Sequence, residues 1–207
     1  KMVLAQFSYK LGKVERGYNN RTLYVNLSDM IIASKPVSAE MKEKFTGGRG
    51  FDIWLLWNAL PKNRIVKWDD PENEICLAAG PLGGTPVYPG SGKSIAVTIS
   101  PLSDTVVDSN VGGYFGAYLK FAGWDALEIQ GKPKSEAVII IDGDEGKVVI
   151  EDASRQSSET HLITDWMAKK YAKGNDQCIS VVSSGPGAEH TRFGCLNSSW
   201  FDLGRKI

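Results

Sequence analysis

Asp108-Ser109-Asn110-Val111-Gly112-Gly113-Tyr114-Phe115-Gly116, running on to Leu119-Lys120-Phe121-Ala122-Gly123-Trp124-Asp125, joins a bare glycine turn to the start of an amphipathic helix. Such a turn presents backbone and not side chains. Gly112 and Gly113 permit positive φ and bring main-chain N–H and C=O groups within reach of a ligand, while the helix after them aims its positive end at any phosphate placed there. The same residues also read as a plain strand-to-helix turn that needs glycine only for geometry.

Around this turn the chain is punctuated by short apolar runs. Residues 22–27 alternate at period two and predict a strand, and the spacing predicts helices over 38–45 and 51–60, separated by Gly47-Gly48. Further strands are expected at 75–79, 94–99, 126–129, 137–141 and 148–150, with Gly143-Asp144-Glu145-Gly146 as the hairpin between the last two. A helix over 159–171 then precedes two final strands, 178–182 and 191–196, split by a glycine-proline turn. Strands in runs, few helices and no strict βαβ alternation indicate an α+β fold with mixed β-sheets.

With 207 residues, 42% of them hydrophobic, the chain can bury one core and reads as a single domain. Its 24 basic residues balance 24 acidic ones, which removes the electrostatic reason for a nucleic-acid or anionic-membrane partner. No apolar run approaches the ~20 residues that span a bilayer, and the start Lys1-Met2-Val3-Leu4 lacks the pattern of a signal peptide, so a cytoplasmic location is expected.

Cys76, Cys178 and Cys195 lie far apart, each in or beside an apolar run, and read as buried free thiols. Their spacing argues against a disulfide framework and against a metal cluster held within this chain. His161 and His190 have no second ligand at metal-binding spacing. Trp54 and Trp57 read as core or interface, Asp69-Asp70 as a solvated turn, and Arg49, between Gly48 and Gly50, as a cap for a carboxylate or a cation aimed at a cofactor. Pro89-Gly90-Ser91-Gly92-Lys93-Ser94 ends like a nucleotide-binding P-loop, but Val87 stands where that motif needs glycine. The run Ser94-Ile95-Ala96-Val97-Thr98-Ile99 is also strand-like where a helix is required.

Five ordered segments, Thr46-Gly47-Gly48-Arg49-Gly50-Phe51, Ala79-Gly80-Pro81-Leu82-Gly83-Gly84-Thr85-Pro86, the Gly90 to Leu102 stretch, the 108–125 stretch and Ser184-Gly185-Pro186-Gly187-Ala188-Glu189, closely resemble the amino-terminal domain of the aldehyde ferredoxin oxidoreductase family. The resemblance runs from about Asn20 to the chain end. It implies two β-sheets forming a platform under a tungsto- or molybdo-bis-pyranopterin, with a [4Fe–4S] cluster held by residues outside this chain. It also implies cofactor-binding roles at Lys93, Asn110, Gly112 and Gly113. Lys93 stands where the family has an arginine, keeping the charge without the planar fork. Asn110 matches the asparagine whose main-chain carbonyl helps hold a magnesium bridging the pterin phosphates, and Gly112 the glycine whose backbone approaches the pterin. No residue of the chain is assigned a catalytic role.

The family's next phosphate-binding segment comes after a stretch like Leu196-Asn197-Ser198-Ser199-Trp200-Phe201, whereas here Gly204-Arg205-Lys206-Ile207 comes next. The chain therefore reads as one amino-terminal domain, 1–207, truncated before that segment, inert alone and able to self-associate through the face where later domains pack. For the whole enzyme the resemblance implies oxidation of an aldehyde to its carboxylic acid with ferredoxin as electron acceptor. Two alternatives remain: the active-site subunit of an aromatic-ring reductase of the benzoyl-CoA type, and a non-catalytic module holding an anion or nucleotide.

Overall fold

The computed structural model describes residues 2–153 and 159–199. Its first sheet has six strands, ordered β3-β2-β7-β4-β5-β6, from β2 (Arg21–Asn26), β3 (Ile31–Pro36), β4 (Glu74–Ala78), β5 (Ser94–Ile99), β6 (Val106–Val111) and β7 (Ala126–Gln130). Only β2 and β7 run parallel; every other neighbour is antiparallel. A second sheet orders β1 (Val3–Ser8), β9 (Lys147–Asp152) and β8 (Ala137–Asp142), and a two-stranded ribbon pairs β10 (Val182–Ser183) with β11 (Asn197–Ser198). This mixed α+β architecture is the one the strand pattern predicts.

Strand alternation divides the large sheet into two faces. Leu23, Val25, Leu77, Ala96, Val111 and Leu127 pack into one core with Val148 and Ile150 of β9, joined by Leu119 and Trp124. The opposite face carries α1 (Ala39–Lys44) and α2 (Arg49–Ala59). Met41 and Phe51 bury against Ala78 and Ala126, and Leu56 packs against Cys76 and Val97. Ser38 starts α1 by accepting from the Met41 N–H at 3.0 Å. Leu60, ahead of Pro61, stops α2 in an extended conformation.

The end of α3 (Phe115–Phe121) is fixed by a buried ion pair. Lys120 Nζ lies 2.5 Å from Asp125 Oδ1 and donates to the Gly17 carbonyl at 2.6 Å. Asp125 also accepts from the backbone N–H groups of Asn19 at 2.9 Å and Asn20 at 2.7 Å, so one carboxylate ties the approach to β2 onto the approach to β7. Beside it, Arg21 stacks on Trp124 and Tyr9 and donates to the Gly123 carbonyl.

The strand predicted over 178–182 shrinks to β10, which overlaps it only at Val182, and 191–196 forms no strand, β11 coming just after it. Cys178 instead sits in a 3₁₀ turn, Asp176–Cys178, and Cys195 has a φ of 52°. Accordingly Cys76 is buried as expected, whereas Cys178 and Cys195 are exposed. The helix expected over 159–171 is α4 (Thr160–Tyr171), and a one-turn α5 (Gly187–His190) comes after β10. No helix among the described residues is long and apolar enough to cross a membrane.

Candidate functional site

The glycine turns converge at one end of the large sheet. The Gly48 N–H donates to the Ala79 carbonyl at 3.3 Å, and a β-carbon built on Gly47 would come within 3.2 Å of Gly80 Cα. Gly84 N–H reaches the Ser91 carbonyl at 2.9 Å, which folds the 80–92 loop back on itself. Gly92 approaches the Gly113 carbonyl, and Gly116 packs on Ser94 Cβ and the Lys93 carbonyl. Close backbone approach thus explains Gly47, Gly92, Gly113 and Gly116.

Lys93, Asn110 and Gly112 come together on the β5–β6 pair. Ile95 pairs with Asn110 and Ser94 with Val111, so Lys93, one residue earlier, lies level with Gly112. Lys93, Asn110 and Gly112 are all exposed, and no described residue forms an ion pair with Lys93. A β-carbon at Gly112 would meet nothing within 4 Å. Gly113 differs: its φ is +79°, and a β-carbon there would lie 2.6 Å from the Ser199 carbonyl oxygen. The positive φ expected of the pair therefore belongs to Gly113, while Gly112 offers open space.

The Gly112-Gly113 turn is preceded by a strand, β6, that residue preferences conceal. Asp108-Ser109-Asn110 are poor strand formers held extended by pairing with β5. Asp108 gives Arg49 its partner, Nη2 to Oδ2 at 2.6 Å, so this arginine caps a carboxylate. The strand alternation places Asp108 and Asn110 on the same face as α2, which Arg49 begins. Arg49 thereby pins the Gly47-Gly48 turn to β6. Trp54 is half-buried against Phe45, Trp57 is exposed, and Asp70 closes its turn by accepting from Lys67 N–H and pairing with Arg64. His161 and His190 are exposed, and no described His, Cys, Asp and Glu residues gather in a group that could hold a metal ion.

An exposed backbone edge with open space at Gly112 and a cation level with it suits an oxyanion-bearing ligand that approaches main chain closely. The fit to the phosphate arms of a pterin rests on that opening and on Lys93.

The family model "Aldehyde ferredoxin oxidoreductase, N-terminal domain" matches residues 22–206. The tungsten-containing aldehyde ferredoxin oxidoreductase of Pyrococcus horikoshii is 38% identical over 175 residues, covering 84% of this chain and 28% of that protein. The protein of the same name from Thermococcus kodakarensis is 36% identical over 171 residues, covering 82% and 27%. An aliphatic sulfonate oxidoreductase, WOR-like subunit, from Pyrococcus furiosus is 38% identical over 143 residues, covering 67% and 22%. Among solved structures, the active site complex BamBC of benzoyl coenzyme A reductase with 1,5-dienoyl-CoA superposes with a TM-score of 0.74 at 29% identity, over 84% of this chain and 25% of that one. The chain thus spans 28% of the length of the first of these relatives. By sequence and by fold, it belongs to the aldehyde ferredoxin oxidoreductase family, through that family's N-terminal domain.

Proposed function

We propose that this chain is the cofactor platform of a tungsten- or molybdenum-dependent oxidoreductase that converts aldehydes to carboxylic acids and passes electrons to ferredoxin. The observation that carries the reading is the meeting of Lys93, Asn110 and the open Gly112 at one end of β5–β6. Residues 1–207 would then be one domain of a longer enzyme, whose remaining parts supply the [4Fe–4S] ligands and the groups around the substrate.

In this reading the pterin-bound metal supplies the redox chemistry, and the protein supplies position and charge. Lys93 neutralises a phosphate. The Gly112 backbone would let the pterin lie close, Gly113 keeps the turn in shape, and the Asn110 carbonyl would offer a hard oxygen to a magnesium ion. Aldehyde and water together give the acid, two protons and two electrons.

Lys93→Ala in the full-length enzyme should lower metal per protein modestly, since it deletes one charge-assisted contact worth roughly 1.5–3 kcal/mol. Lys93→Arg should match or exceed the wild-type metal content by adding a fork. Unchanged occupancy in Lys93→Ala, measured by elemental analysis, would remove Lys93 from the site. The solved benzoyl coenzyme A reductase complex favours a second reading, reduction of an aromatic thioester on the same platform. Assays with aldehyde and with aromatic thioester separate the two, and absence of tungsten, molybdenum and pterin from the full-length protein would favour a non-catalytic anion-binding module.

A further inference from the structure

α2 is seated on the sheet over a set of acidic side chains that the proposed cofactor site does not use. Asp52, on the first turn of the helix, is 0% exposed, and neither of its oxygens has a donor at hydrogen-bonding geometry. β4 brings Glu74, 1% exposed, and Cys76, whose thiol donates to Glu74 Oε2 at 3.7 Å. β7 brings Glu128, which accepts from Thr22 Oγ1 of β2 at 2.7 Å and from Lys35 Nζ of β3 at 2.6 Å. Tyr24 of β2 supplies a ring under the Lys35 ammonium. β5 offers only Ile95, Val97 and Ile99 on this face, and α1 offers Met41 and Phe45. Three carboxyl groups therefore share one cation, and Lys35 is committed to Glu128.

A carboxylate stripped of water without a counter-ion takes up a proton instead. Burial holds Asp52 well above the usual carboxylate range, with the Ala78 backbone N–H, outside hydrogen-bonding geometry, offsetting only part of the effect and the Glu128 charge adding to it. Burial, then the Glu128 charge, pushes Glu74 up to about 7. Burial and the same three acids push the Cys76 thiol up as well, so it stays protonated.

We propose that this cluster is a proton-dependent latch: α2 stays seated while Asp52 and Glu74 hold their protons, and their ionisation loosens the helix together with the Gly47-Gly48-Arg49 turn at its start. The inference stands on the packing of α2 and not on which cofactor the chain holds. For a carboxyl raised on folding, the stabilisation is fully present below the unfolded value, 3.8 for Asp and 4.5 for Glu. It is lost as pH rises through the folded value. For Glu74 the latch therefore loosens as pH rises from about 4.5 through about 7, and the ionisation of Asp52, also raised, loosens it in the same direction.

Amide hydrogen exchange of the 207-residue chain at pH 6 and pH 9, corrected for intrinsic rates, tests this. One unit of pKa offset is about a factor of ten in an opening equilibrium. Protection across α2 in the wild type should therefore fall by about tenfold or more between the two pH values, while α3 amides change far less. Asp52→Asn, a neutral mimic of the protonated acid, should remove the Asp52 share of that fall and leave only the step near pH 7 that belongs to Glu74. Glu74→Gln, which keeps Asp52, should erase the step near pH 7 and so tests the latch even if Asp52→Asn does not fold. Equal α2 protection at both pH values in the wild type would overturn the proposal, as would a Glu74→Gln variant that keeps the full step near pH 7.

Discussion

Asp125→Ala should destabilise the domain by about 3–5 kcal/mol, because it strands Lys120 as an unpaired buried charge. The Asp125 side chain is 1% exposed and that of Lys120 6%, so water cannot take over the lost interaction. The backbone N–H groups of Asn19 and Asn20 lose their acceptor in the same step. For a chain of this size each kcal/mol moves the melting midpoint by roughly 2–4 °C, so a fall of roughly 6–20 °C is expected in a thermal scan. Asp108→Ala, which breaks the exposed Arg49 pair, should by contrast cost less than about 1 kcal/mol. A loss under about 1 kcal/mol for Asp125→Ala would mean that the Lys120 ammonium finds other partners on its own.

Gly112→Val and Gly113→Val should fail in opposite ways. At Gly113 valine meets both a φ of +79° and the Ser199 carbonyl at 2.6 Å, so the fold suffers and the melting midpoint drops. At Gly112 a β-carbon would meet no atom within 4 Å beyond its immediate chain neighbours, so thermal stability should stay within about 0.5 kcal/mol of wild type. The added methyl groups would fill the space proposed for the pterin, and metal per protein in the full-length enzyme should fall severely. Elemental analysis beside a melting curve for each variant decides the matter. Normal metal content in a well-folded Gly112→Val protein would reduce the Gly112 turn to architecture.

Strands β2, β4, β5, β7, β8 and β9 are legible in the sequence because apolar residues recur there in short runs bounded by turn formers. β6 is not, since Asp108, Ser109 and Asn110 are extended only because β5 pairs with them. The two terminal strands are over-read for the converse reason: the 178–182 and 191–196 runs contain β-branched residues but find little sheet to join. Glycine turns at the candidate site are legible because close backbone approach is a local demand. Burial of charge is not local. Asp52 sits in the first turn of a helix, where acids are common on solvated faces, and only the sheet beneath makes it unusual. Asp125 likewise reveals its role only when residues 17–20 arrive from more than 100 positions away.

The parallel pairing of β2 with β7 has a kinetic meaning. β2 can pair with β3 as soon as both emerge, but on its other edge Tyr24 must wait for Glu128, and Phe7 of β1 for Val148. During synthesis β1 and that edge of β2 therefore emerge long before anything can cover them, and folding has to close loops of more than a hundred residues first. Topologies dominated by such distant contacts fold on the millisecond-to-second scale. The exposed strand edges of that interval are where a nascent chain of this kind is most open to chaperones and to aggregation.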